Sequence, residues 1–119
     1  MKRYLVLIAY EPSEWDDATE EVRQSYYRDH EAFSAYVAEH GTEHGSAALA
    51  DATKATTVRH VGGHRDGEVR VLDGPFAETV EQIGGYYDVE LPDLDHAIAA
   101  VRLLPAAYSL EIRPTMTIE

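Results

Sequence analysis

The sequence predicts an α+β domain, with helices laid against one face of an antiparallel sheet. Three observations carry that expectation. Residues 4–10 form an unbroken apolar run, as expected of a central strand covered on both faces. A long amphipathic stretch follows and stops at Gly41, a natural C-terminal stop for a helix. Residues 86–91 alternate, with Tyr87, Val89 and Leu91 on one face and Tyr86, Asp88 and Glu90 on the other, the mark of a sheet with two unlike faces. Length bounds the picture: 119 residues make one domain, 1–119, and are too few for two ordinary ones.

Each element has its own signal. Glu11-Pro12 stops the first strand. Ser13-Glu14-Trp15-Asp16 has the form of a capping box, with Asp16 standing in for Glu, and Trp15 is expected to staple the helix start onto the sheet, with a ligand-facing role as the alternative. The spacing predicts one helix from there to about residue 40. At roughly 100° per residue, Val22, Tyr26, Phe33, Tyr36, Val37 and His40 share a face. His30 sits on the flank of that stripe, one turn from Tyr26. A short strand is expected over residues 44–47. Residues 55–61 and 68–72 read as a hairpin joined by Gly62-Gly63-His64-Arg65-Asp66-Gly67. The return strand ends at Asp73-Gly74-Pro75, where Gly74 permits a positive φ and Pro75 fixes its own. This tight connection is expected to anchor Phe76 in the core, with Asp73 making a local turn bond.

Gly84 and Gly85 open the strand at 86–91. Asp93 caps a second helix, in which Leu94, Ala97, Ile98 and Val101 form the buried stripe and which Pro105 closes. A last strand covers residues 108–113. The resulting order is strand, helix, strand, strand, strand, helix, strand. Two helices against such a sheet give the ferredoxin-like plan with an extra hairpin. One sheet face is then left bare, and a second copy of the chain is the expected cover, so a homodimer is predicted.

Composition excludes several functions. Formal charge is −12, from 22 Asp+Glu against 10 Lys+Arg, which repels phosphate backbones and anionic membranes. Neither nucleic acid nor membrane is expected as a partner. The absence of cysteine removes disulfides, thiolate zinc sites and a Cys nucleophile. No signal-peptide pattern and no run of roughly 20 apolar residues is found, which makes the cytoplasm the expected compartment. His40 and His44 are four apart, but Gly41 breaks the helix that would align them, and His60 and His64 flank two glycines with poor mutual aim. No metal and no cofactor is expected.

Four motifs carry a resemblance. Ala55-Thr56-Thr57-Val58-Arg59, Asp73-Gly74-Pro75-Phe76-Ala77-Glu78-Thr79, Glu81-Gln82-Ile83-Gly84-Gly85-Tyr86-Tyr87 and Glu111-Ile112-Arg113-Pro114 resemble the DGPF branch of the YCII-related (YciI-like) family. The likeness runs nearly the whole chain. It implies a ferredoxin-like subunit pairing into a dimeric α/β-barrel. It does not fix a reaction: a few relatives act on small aromatic or chlorinated ring compounds, and others are fused to sigma factors. The resemblance also implies a His and Asp dyad. The His, eleven residues before the glycine that ends the first helix, is His30 here, whereas the Asp position before the proline that follows the second helix is Leu104. Val80 replaces the usual Lys of the DGPF continuation.

The site chemistry expected from these residues centres on His30 as a general base near neutral pH. Asp73 or Glu78 is expected to supply its carboxylate partner if the connection folds over the helix flank. Arg59 is a candidate to bind a substrate carboxylate or enolate oxygen, or alternatively to pair with Glu90 or Asp88 across strands. Tyr87 is a candidate hydrogen-bond donor to that oxygen, and Tyr26 completes the substrate-binding set. The function expected is proton transfer or elimination on a small cyclic or carbonyl metabolite, near the dimer interface. The rival from another class is a ligand-sensing or protein-interaction module linked to transcription.

Overall fold

The apolar run near the start of the chain forms β1, Lys2–Tyr10, in a computed structural model that describes residues 1–77 and 79–118. Its side chains alternate: Tyr4, Val6 and Ile8 are buried, and Leu5 and Leu7 are half-buried on the other face. Pro12 takes the first position of a short helix, α1 (Pro12–Asp16), where its missing N–H costs nothing. The single helix expected here is interrupted. Thr19 is extended and its hydroxyl accepts the Val22 N–H at 3.2 Å, which starts a separate helix, α2 (Glu20–His40). A side-chain cap inside the run outcompetes helix continuation. Ser13 does not cap; its hydroxyl donates to the Glu11 carboxylate instead.

The remaining elements are β2 (Thr42–Ala48), β3 (Thr56–His60), β4 (Val69–Asp73), β5 (Gln82–Leu91), α3 (Leu94–Val101) and β6 (Ser109–Pro114). Asp93 caps α3 as expected, accepting the His96 N–H at 2.9 Å. β5 begins earlier than the sequence suggests and includes Gly84 and Gly85 within it.

The sheet is antiparallel and four-stranded, in the order β2-β5-β1-β6, and β3 and β4 pair only with each other in a second, two-stranded sheet. One face of the larger sheet carries the core. Tyr4, Val6 and Ile8 of β1 and Tyr87, Val89 and Leu91 of β5 pack with Phe33 and Val37 of α2 and with Ala97, Ala100 and Val101 of α3. The α3 stripe is rotated from the expected one: Leu94 and Ile98 are exposed, and Ala97, Ala100, Val101 and Leu104 follow the i, i+3, i+4, i+7 spacing instead. Phe76, expected in the core, is 77% exposed.

On the opposite face Arg3 of β1 donates twice to Asp88 of β5, at 2.9 and 2.8 Å, and this guanidinium holds the Asp88 carboxyl below the usual carboxylate range. No helix among the described residues is long and apolar enough to cross a membrane.

Candidate functional site

Tyr26 and His30 of α2 share a cavity with the part of the sheet where β1 and β5 fall out of regular pairing. Ile8 pairs with Gly85 and Ala9 with Ile83, which leaves Gly84 as an extra residue on β5. The Tyr10 ring lies over that residue so closely that a Cβ at position 84 would stand 2.2 Å from it. Glycine is what allows the ring in. Beside it opens a cavity of about 440 Å³ lined by Tyr10, Trp15, Tyr26, His30, Tyr87 and Tyr108, among others. That volume suits a small organic molecule. Among the described residues, none that lines it is a Lys, Arg, Asp or Glu.

The aromatic walls hold one another. Tyr10 stacks on Tyr108 with ring centroids 5.5 Å apart, Tyr26 meets Tyr108 edge-on at 5.7 Å, and Trp15 leans on Tyr26 at 5.7 Å. Offset and edge contacts of this kind fix ring orientation as well as contributing buried area. Arg23 secures Trp15 from outside, its guanidinium 4.9 Å from the indole ring and bonded to the Trp15 carbonyl at 3.0 Å.

His30 sits between two phenols. Its Nδ1 is 2.6 Å from the Tyr87 hydroxyl and its Nε2 is 3.0 Å from the Tyr108 hydroxyl. Burial pushes the imidazole below its ordinary pKa, and the charge of Asp29 offsets this only in part. Burial also raises Tyr87, with Glu43 adding to the effect, and raises Tyr108 further, with Tyr10 and Tyr26 contributing. All three groups are therefore neutral near pH 7.

A neutral imidazole has one N–H and one lone pair, so one phenol donates to the ring and the other accepts from it. The accepting phenol keeps its own O–H for another partner. The donating phenol keeps its oxygen lone pairs. The trio thus offers a ligand one donor and one acceptor, and a change of tautomer exchanges the two.

Comparison with known families is decisive at one level. The family model of the YCII-related domain matches residues 2–116. The chain belongs to the YCII-related family. No curated protein matches it.

In this YCII-related chain, the residues expected at the site divide into two groups. His30, Tyr87 and Tyr26 come together around the cavity. Asp73 and Arg59 do not. Asp73 ends β4, is exposed, and pairs through its backbone with Thr56 in the separate hairpin. The hairpin forms a sheet of its own, and Asp73 is not among the residues lining the His30 cavity of the same chain. Arg59 lies with its guanidinium 5.0 Å from the Phe76 ring. Its alternative partners are taken: Asp88 by Arg3 at 2.8 Å and Glu90 by His44 at 3.0 Å. Glu78 lies outside the described residues.

Leu104, at the position where the resemblance implies an acid, is buried and completes the α3 stripe. Tyr108, Tyr10 and Trp15 are cavity residues that the sequence reading did not assign to the site. A signal was present for two of them: Tyr10 ends the first strand, Tyr108 stands just before the last, and the pairing of Ala9 with Ser109 brings those ends side by side. No three His, Asp or Glu residues are grouped to hold a metal ion among the described residues. His40 lies against His96, ring centroids 5.3 Å apart, and not against His44.

Proposed function

We propose that this YCII-related chain is a small-molecule enzyme that moves a proton on an uncharged cyclic or carbonyl compound held in the His30 cavity. The observation that carries the reading is an imidazole held by a phenol at each ring nitrogen, on the wall of a cavity with no Lys, Arg, Asp or Glu in its lining among the described residues.

The balance of protons is simple. A carbonyl oxygen of the substrate accepts the free O–H of one phenol. As the bond from hydrogen to the neighbouring carbon breaks, that proton passes to the second phenol's oxygen, whose own proton moves onto the imidazole. The opposite ring N–H gives its proton to the first phenol, which has delivered one to the substrate. The product is an enol, and the protein is left neutral with the other histidine tautomer. Loss of a leaving group from the next carbon would make the same first half an elimination. Because burial raises both phenols, the transfers run together and no free phenolate need form.

The test is deuterium exchange. Small cyclic ketones that raise the protein's melting temperature are incubated with it in D2O, and loss of the α-proton signal is followed by NMR. The expected result is exchange above the buffer rate in the wild type, reduced at least about 100-fold in His30→Ala with fold and binding retained. Exchange at the wild-type rate in His30→Ala would refute the assignment.

A second reading uses the same cavity without turnover: a ligand-sensing or protein-interaction module linked to transcription. Leu104 at the expected acid position favours it, since the dyad of the YciI-like resemblance is then half present. Ligand binding with no exchange in any variant would select it.

The assembly proposed for either reading is a homodimer of ferredoxin-like subunits closing a dimeric α/β-barrel, in the DGPF branch and in the cytoplasm. The strand order β2-β5-β1-β6, with α2 between β1 and β2 and α3 between β5 and β6, supports the subunit plan. Leu5 and Leu7 on the uncovered face support the pairing.

A further inference from the structure

The β3–β4 hairpin is built unlike the rest of the molecule. Val58 stands opposite Val71, and Val69 follows on the same face, yet these three valines are between 50% and 64% exposed. On the other face Arg59 stands directly opposite Arg70, a like-charge pair that is unfavourable unless something neutralises it. Neither arginine is within ion-pair distance of a carboxylate among the described residues. A two-stranded ribbon is marginal by itself. At its root lies a mainly apolar hollow of about 630 Å³ between Leu49, Ala55, Phe76 and Ile83, lined also by Asp51, Lys54 and Glu81, with Phe76 and Ile83 themselves open to solvent.

We propose that this hairpin is an arm that grips a second copy of the chain, tip to root about a two-fold axis. The valine face of each arm covers the other copy's root hollow, and the arm as a whole lies against that copy's acidic body.

Three observations select a second copy as the occupant. The accessible surface is 8389 Å², against about 6,450 Å² expected for a compact chain of this mass, an excess of about 1,900 Å². Covered by an identical chain, that excess from each copy falls within the range of obligate dimers. The radius of gyration is 16.9 Å where about 13.5 Å is expected, and the molecule is a slab only 17 Å thick. Charge permits the contact as well. Residues 56–73 hold three arginines against three acids, whereas the remainder holds seven Lys and Arg against nineteen acids. The two-fold axis satisfies both requirements with one contact, because each copy offers an arm and a hollow.

This inference rests on the two-copy reading above, and the experiment separates them. The mass of the wild type, Val58→Asp/Val71→Asp and Leu7→Glu is measured by light scattering over a dilution series. The expected result is a wild-type dimer and at least about 100-fold weaker association in the arm variant, because two carboxylates would be buried without partners. A wild-type dimer with unchanged association in the arm variant, and loss only in Leu7→Glu, would overturn the arm while leaving the dimer. A monomeric wild type would overturn both. Should the arm variant fail to fold, Val71→Cys/Ile83→Cys decides the matter, since the natural chain has no cysteine. A covalent dimer under mild oxidation is the expected outcome, and a monomer on a non-reducing gel would overturn the tip-to-root packing.

Discussion

The cavity beneath α2 and the β3–β4 arm carry the two sets of residues that the sequence nominated, and their surroundings differ in the one respect that matters for chemistry. At the cavity, His30, Tyr87 and Tyr108 are half-buried or buried against the core, and removal of water shifts all three toward their neutral forms. On the arm, Asp73 and Arg59 are exposed in the single chain and neither lines the cavity. Residue type was a poor guide by itself. A carboxylate at a strand end looks reactive, but a histidine between two phenols has the controlled proton.

The contrast breaks most easily through the core that supports the cavity. Phe33 is fully buried and packs tilted against Tyr87 with centroids 4.4 Å apart. Phe33→Ala is expected to cost about 3–5 kcal/mol in chemical denaturation and to release the Tyr87 ring. A smaller loss, about 1–3 kcal/mol, is expected for Gly84→Ala, because the new methyl must displace the Tyr10 ring from the cavity wall. Ligand binding should weaken in parallel.

The next effect is one of pH. The folded His30 titrates below the roughly 6.5 of an unfolded histidine. As pH falls from that value, the unfolded chain takes up the proton first, so stability declines until the folded pKa is passed and then levels off. Above about pH 6.5 the group contributes no slope. His30→Gln is expected to remove this part of the acid-side decline in urea midpoints. On the arm, Asp73→Ala should change stability by no more than about 0.5 kcal/mol and leave deuterium exchange untouched. A large loss of exchange in Asp73→Ala would erase the distinction between the two regions.

Much of the fold was legible because periodicity and punctuation are local signals. The apolar run of β1, the alternation in β5, the Asp93 cap and the positive φ of Gly74, observed at 106°, were all readable from neighbouring residues. The break in the long helix was not, because Thr19 had to outcompete an amphipathic pattern that continues on both sides of it. Nor was the placement of Phe76, since an apolar residue after a tight turn reads the same whether it faces the core or an uncovered surface.

The site followed the same division. His30, Tyr26 and Tyr87 lie on elements whose buried faces the sequence identifies. Tyr108 needed the register of β6 against β1. Asp73 is not brought to the cavity of its own chain, because spacing cannot tell which sheet a hairpin joins, and among the described residues β3 and β4 pair with each other.

The most direct test of the proton-relay account is a pH titration of the His30 ring nitrogens by NMR, repeated in Tyr87→Phe and Tyr108→Phe. The account requires a neutral ring that persists below pH 6.5, with Nδ1 perturbed by the first substitution and Nε2 by the second. An imidazole that gains its proton at or above that pH, with shifts indifferent to both phenols, would contradict it.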